Sequence, residues 1–119
     1  MKNILITGVS GYIAPYLCKA LLLNGTGRVT GIYNSHKPEI NGIELFKCDL
    51  ADTEETERLF NKVKPDIVYH LASVTPTRIT TQNDNYINYF NGEVTGHLAK
   101  LCSQTGALMI YTSTDLVYK

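Results

Sequence analysis

Apolar residues in this chain fall in short continuous runs, and between the runs they recur at helical spacing. Asn3-Ile4-Leu5-Ile6-Thr7 is one such run, closed by Gly8. Its length and its glycine stop predict a buried strand. The period then changes: Ile13, Leu17, Ala20, Leu21 and Asn24 lie on one helical face, and Gly25 stands where a helix ends in a left-handed cap. Pro15 is compatible only with a helix that begins close to Gly11 or Tyr12, where its missing N–H would have had no partner. Arg28 to Tyr33 predicts a second strand, and the alternating stretch Ile43–Cys48 a third; the polar, proline-containing stretch 34–42 between them is a loop. Asp52 followed by Glu55 has the spacing of a capping box, opening a helix through Leu59, Phe60 and Val63 that ends before Pro65. Asp66 to Ala72 is a fourth, nearly continuous apolar strand. After the polar segment 73–84, Ile87, Phe90, Val94, Leu98 and Leu101 align on one face of a long helix. Gly106 stops that helix, and Ala107–Thr112 predicts a fifth strand.

Strands that are apolar throughout and alternate with helices must be covered on both faces, which means a parallel sheet. Right-handed crossovers make the doubly wound, Rossmann-like α/β arrangement the expected one, with five strands in a single domain over residues 1–119.

Composition narrows the function classes. Eleven Lys and Arg balance eleven Asp and Glu, so nothing in the net charge favours nucleic acid or an anionic membrane. The apolar run LCKALLLNG carries Lys19 and is far shorter than the ~20 residues of a membrane span. The first residues lack the pattern of a signal peptide, and a cytoplasmic protein is expected. Cys18, Cys48 and Cys102 stand too far apart for a zinc site or a disulfide framework; they are expected as reduced thiols in or near the core, with no metal.

The stretch ILITGVSGYIAPYL joins a strand, a glycine-rich turn and a helix start without interruption. That context points to a phosphate-binding turn of a dinucleotide site. Gly8 can adopt backbone angles closed to other residues, and Gly11 lets a pyrophosphate approach the backbone. Ala14 keeps the helix close to the sheet, and the helix N-terminus offers unpaired N–H groups. Gly8, Ser10, Gly11, Tyr12 and Ile13 are the candidates on the phosphate side. Dinucleotide folds that bind NAD carry a carboxylate about 20 residues beyond this turn, on the ribose 2′-hydroxyl. Here Asn34, Ser35, His36 and Lys37 occupy that place, with no acid. Ser35 and Lys37 suit a 2′-phosphate, so NADP(H) is favoured over NAD(H). Asp49 could accept from the adenine amino group or be a plain turn residue. Leu71, Ala72 and Ser73 end the fourth strand where a crevice is expected.

With Thr7, the spacing Gly-x-x-Gly-x-x-Ala resembles the fingerprint of the short-chain dehydrogenase/reductases. Further motifs are similar to the extended branch of that superfamily, the NAD(P)-dependent epimerase/dehydratase group. They are Cys48-Asp49-Leu50 after the third strand, Lys64-Pro65-Asp66-Ile67-Val68-Tyr69-His70-Leu71-Ala72 across the fourth, Asn91 on the following helix, and Tyr111-Thr112-Ser113-Thr114-Asp115 at the end of the fifth. The Ser113-Thr114-Asp115 form most resembles the dTDP-4-dehydrorhamnose reductase subgroup. The resemblance implies that Leu50 lies by the adenine, that Asn91 and Thr112 line the cofactor site, and that Thr114 hydrogen-bonds the reacting oxygen of a nucleotide-linked sugar. It also implies a Tyr-x-x-x-Lys pair beyond Lys119, so the chain is expected to be the N-terminal, cofactor-binding part of an enzyme roughly twice as long and to be inactive alone. A non-catalytic nucleotide-binding or regulatory protein on the same fold is the alternative. Strands following the fifth in such enzymes would leave Leu108–Thr112 as an unpaired edge here, open to self-association.

Several residues have plainer readings. Tyr33-Asn34-Ser35-His36-Lys37 contains a Tyr-x-x-x-Lys, but Tyr33 ends a strand and Pro38 argues against a helix through Lys37. His70 is expected to be a hydrogen-bonded strand histidine and not an acid–base group. His97 is read as surface or half-buried packing, and Tyr86, Tyr89 and Phe90 as packing. Gly92 and Gly96 suggest close packing of their helix against a neighbour.

Overall fold

The computed structural model describes residues 2–25, 27–34, 36–71 and 89–111, the stretch 89–91 by its backbone alone. Five parallel strands form one sheet: β1 (Lys2–Thr7), β2 (Gly27–Tyr33), β3 (Glu44–Lys47), β4 (Ile67–His70) and β5 (Leu108–Tyr111), in the spatial order β3-β2-β1-β4-β5. The helices are α1 (Ala14–Asn24), α2 (Thr53–Val63) and α3 (Thr95–Thr105), the last preceded by a π-helical segment, Tyr89–Val94. The strand order reverses between β1 and β4. In open α/β sheets that reversal leaves a crevice at the carboxyl ends of the strands.

Alternation along β1 feeds two cores. Ile4 and Ile6 pack with Val9, Ala14, Cys18, Leu21 and Val29 under α1. Leu5 points the other way, with Ile32, Val68, Phe60, Leu98 and Cys102 under α2 and α3. All three cysteines are buried and unpaired, and burial pushes their thiols up, Cys48 to about 11. They serve as small apolar core residues, as expected from the sequence.

Element ends differ from the sequence reading in instructive ways. Helix α1 starts at Ala14, after Ile13, so the glycine turn keeps its own non-helical path up to Gly11. Gly25, at φ 62°, ends α1 as expected, its N–H bonded to the Leu22 carbonyl. β3 is confined to Glu44–Lys47, and β5 begins at Leu108, with Thr112 outside the described residues. At α2 the Asp52 carboxylate accepts from the Glu55 N–H at 3.1 Å. The reciprocal arm is missing, because the Asp52 N–H is already bonded to the Asp49 carbonyl at 2.9 Å. Lys64, at φ 51°, caps the other end of α2 in the left-handed region, a position that favours glycine.

The helix expected as one continuous element changes pitch: the π-helical turns end at Val94, and the α-helix with buried Leu98, Leu101 and Cys102 begins at Thr95. The close packing expected at Gly92 and Gly96 is corrected: both are exposed, and a Cβ on either would meet nothing within 4 Å among the described residues. Gly92 in the π-helical segment and Gly96 in α3 lie off the buried side, which Val94, Leu98 and Leu101 occupy.

Candidate functional site

The site is built at the carboxyl ends of β1, β2 and β4. Thr7 ends β1, and Gly8 follows at φ 69°, in the left-handed region that a side chain would resist. The Gly11 N–H closes the turn onto the Gly8 carbonyl at 3.0 Å. Two contacts fix the turn to β2. The Val9 N–H donates to the Ile32 carbonyl at 3.1 Å, and the Ser10 hydroxyl donates to the His36 carbonyl. Val9 is fully buried and fills a notch at Gly31, where an added Cβ would lie 2.8 Å from Val9 Cγ2.

Gly11 is different. It lacks a positive φ, and among the described residues an added Cβ would meet only the Gly8 carbonyl oxygen at 3.4 Å, an ordinary contact. Nothing among the described residues therefore requires glycine there. What a side chain would obstruct is approach from outside. Beside it, α1 begins without a side-chain cap and without an acidic residue in its first turn. Unpaired helix N–H groups and the positive end of the helix dipole suit an anion. Tyr12, 95% exposed, and Ile13, 57% exposed, present apolar surface next to this turn. Gly8, Ser10, Gly11, Tyr12 and Ile13 stand together in this turn, beside a helix start whose polarity suits an anion.

The opposite wall is the end of β4. Leu71 N–H donates to both Thr7 oxygens, the hydroxyl at 3.1 Å and the carbonyl at 3.3 Å. His70, paired in register with Thr7, is 1% exposed. Its Nδ1 lies 2.7 Å from Thr7 Oγ1 and its Nε2 3.0 Å from Thr95 Oγ1, and its ring stacks on Tyr111 with centroids 5.5 Å apart. Burial lowers its pKa to about 4. A neutral imidazole with both nitrogens engaged is a poor acid–base group at neutral pH, which agrees with the plainer sequence reading of His70.

Asn34, His36 and Lys37 are exposed at the carboxyl end of β2, tied to the glycine turn through Ser10. No carboxylate stands among them. Tyr33 ends β2 as a strand residue, and Asn34, His36 and Lys37 are not helical, so Tyr33 and Lys37 do not share a helical face. Asp49 is exposed and makes a local turn, its Oδ1 accepting from Ala51 N–H at 3.0 Å. Leu50 turns its side chain into the core beneath α2 and α3. The π-helical segment carries the backbone of Asn91. Ser35, Ala72, Ser73, Thr112 and Thr114 lie outside the described residues, as do Tyr86 and Ile87. His97 bridges α3 to Glu57 of α2 at 3.2 Å, a packing role. Sequence reasoning missed the Thr7–His70–Thr95 chain and the Val9–Gly31 lock. The signal for the first was a polar residue ending each of two buried strands.

A parallel sheet in this order, with a glycine turn opening α1, defines the dinucleotide-binding Rossmann class. The chain belongs to the NAD dependent epimerase/dehydratase family, whose model matches residues 4–119. It is 30% identical over 99 residues to GDP-mannose 4,6-dehydratase of Vibrio cholerae, covering 71% of this chain and 27% of that protein. It is 23% identical over 117 residues to methionine adenosyltransferase 2 subunit beta of Rattus norvegicus, covering 98% of this chain and 34% of that protein. Among solved structures, the enzyme WbmG of Bordetella bronchiseptica in complex with NAD and UDP superposes with a TM-score of 0.79 at 25% identity, covering 98% of this chain and 39% of that one. The chain thus spans about a third of the length of the curated relatives it matches. Among the described residues no helix is long and apolar enough to cross a membrane, and no cluster of metal-ligating side chains occurs.

Proposed function

We propose that this chain is the cofactor-binding part of an NADP(H)-preferring oxidoreductase or epimerase that acts on a nucleotide-linked sugar, nearest in character to dTDP-4-dehydrorhamnose reductase. The observation that carries the reading is Gly11, a glycine that no contact among the described residues needs and a pyrophosphate does. Membership of the family and the likeness to a sugar-nucleotide dehydratase and to a protein solved with NAD and UDP support it. The bound nicotinamide would supply the hydride acceptor or donor. Gly8 to Ile13 hold the pyrophosphate, while Leu71, Ala72 and Ser73 form the crevice wall. Ser35 and Lys37 meet the 2′-phosphate with Asn34 and His36 beside them, and Asp49 meets the adenine, with Leu50 packed beneath it. Asn91, Thr112 and Thr114 complete the site, Thr114 donating a hydrogen bond to the reacting sugar oxygen. Thr114 cannot deliver the proton, since its hydroxyl pKa lies far above neutral; that group belongs to the rest of the enzyme. A cytoplasmic place fits the three reduced thiols, and the exposed Leu108 and Ile110 of β5 offer an edge for self-association.

A second reading is a non-catalytic nucleotide-binding or regulatory protein on the same fold; the likeness to a protein named as a subunit, methionine adenosyltransferase 2 subunit beta, keeps it in view. Calorimetry on the wild type and Gly11→Ala tests the shared premise. The variant should fold with unchanged thermal stability and lose NADPH binding by about tenfold or more, the worth of one blocked backbone contact. Equal affinity in both proteins would refute the dinucleotide assignment. NADH binding tighter than NADPH would refute the cofactor preference. Turnover of a nucleotide sugar by a longer protein carrying this chain, lost in Thr114→Val, separates the enzyme from the regulator.

A further inference from the structure

His70 is buried, titratable and unused by the reaction as read above, yet it is the junction of three elements. Thr7 Oγ1 takes the Leu71 N–H and at the same time bonds His70 Nδ1, so one hydroxyl joins the ends of β1 and β4 on either side of the crevice. Gly8 follows Thr7 directly, so whatever fixes Thr7 fixes the start of the glycine turn. On the other side of the ring, Nε2 meets the hydroxyl of Thr95, the residue at which the π-helical segment gives way to α3. π-helical segments are rare and occur mostly as short bulges within α-helices, frequently at functional sites. The imidazole meets this one at the residue where it stops.

From this geometry we infer that His70 is a positioning residue. Its neutral ring spans the strand switch point and sets the phosphate turn, through Thr7, in register with the π-helical segment, through Thr95. The inference rests on the dinucleotide reading only for its consequence in binding; the mechanical claim stands on the three side chains. The two hydroxyls constrain the ring's protons. If Thr7 donates to Nδ1, then Nε2–H donates to Thr95; if Nδ1–H donates to Thr7, then Thr95 donates to Nε2. Either way a single neutral tautomer is held with both nitrogens satisfied, as a buried imidazole requires. The groups facing it are the Thr7 hydroxyl from β1, the Thr95 hydroxyl from α3 and the Tyr111 ring from β5; no carboxylate is paired with it among the described residues. Phenylalanine would fill the same volume and keep the stacking, but would leave both hydroxyls without the ring nitrogens.

The test uses isotope-labelled chain and three variants. In the wild type, long-range nitrogen–proton spectra of the His70 ring should show one fixed neutral tautomer at neutral pH. His70→Phe and Thr95→Val should each shift the amide resonances of both Gly8–Ile13 and Gly92–Thr95. Leu98→Ala, an equally buried core change in α3 that leaves the relay intact, should not reach the glycine turn. NADPH affinity should fall about tenfold in His70→Phe, as for a lost buried hydrogen-bond pair, and by less than about twofold in folded Leu98→Ala. Should His70→Phe not fold, Thr95→Val carries the same comparison. Averaging between the two tautomers, or glycine-turn shifts no larger than those of Leu98→Ala, would overturn the positioning role. A wild type that shows the fixed tautomer and coupled shifts, yet binds no NADPH, would sink the dinucleotide reading and leave the role of His70 standing.

Discussion

Acidification should destabilise this fold through His70. In the unfolded chain the imidazole has a pKa of about 6.5; in the folded chain burial lowers it to about 4. The folded state therefore resists protonation, and between those values the unfolded state binds more protons. Stability must rise with pH across that window and fall as pH drops through it. Each pKa unit is worth about 1.4 kcal/mol, so the loss is roughly 2 kcal/mol by about pH 5 and approaches roughly 3 kcal/mol below about pH 4. Against the 5–15 kcal/mol typical of whole domains, that is a large share. Urea titrations at a series of pH values across the window measure it directly. His70→Gln should be less stable at neutral pH, because glutamine reaches only part of the relay, but its stability should change little between about pH 6.5 and about pH 5. If the wild type and His70→Gln lose stability in parallel over that interval, the histidine is not titrating as its burial requires, and the account of the relay is wrong.

Three further outcomes follow from single positions. Lys64→Gly should raise stability by about 0.5–1 kcal/mol in urea melts, since glycine relieves the left-handed cap at φ 51° while keeping the N–H bond to the Phe60 carbonyl; a loss would contradict the strain. Gly31→Ala should cost about 1–3 kcal/mol by pressing on Val9 and Ile43, and Val9→Ala in the same chain should cost less than the two changes added; strict additivity in a double-mutant cycle would refute the lock. If the proposed preference for NADPH over NADH holds, Ser35→Asp should reverse it by repelling the 2′-phosphate, read by calorimetry with both cofactors; NADH bound tighter by the unmodified chain would refute it.

The order of strands and helices, the glycine turn, the caps at Asp52 and Gly25 and the burial of the cysteines were legible along the chain, because each rests on short-range chemistry. A strand closed by glycine, a helix with one apolar stripe, or an acid three residues before another needs no distant partner to be recognised. The glycine turn proposed as a dinucleotide cradle was legible for the same reason: Gly8 to Ile13 are contiguous, and their geometry follows from one strand–turn–helix transition. Tertiary structure alone decided everything that joins residues far apart in sequence. Parallel pairing brought Thr7 into register with His70, 63 positions later, and set Gly31 opposite Val9. It turned Gly92 and Gly96 away from the packing their spacing suggested, and broke a regular apolar period into a π-helical and an α-helical part. It also distinguished the glycine demanded by backbone angle, Gly8, from one the fold would allow to carry a side chain, Gly11. Local periodicity records which face of an element is apolar. Which side chain fills which notch depends on the register of neighbouring strands, and that is fixed when the sheet assembles.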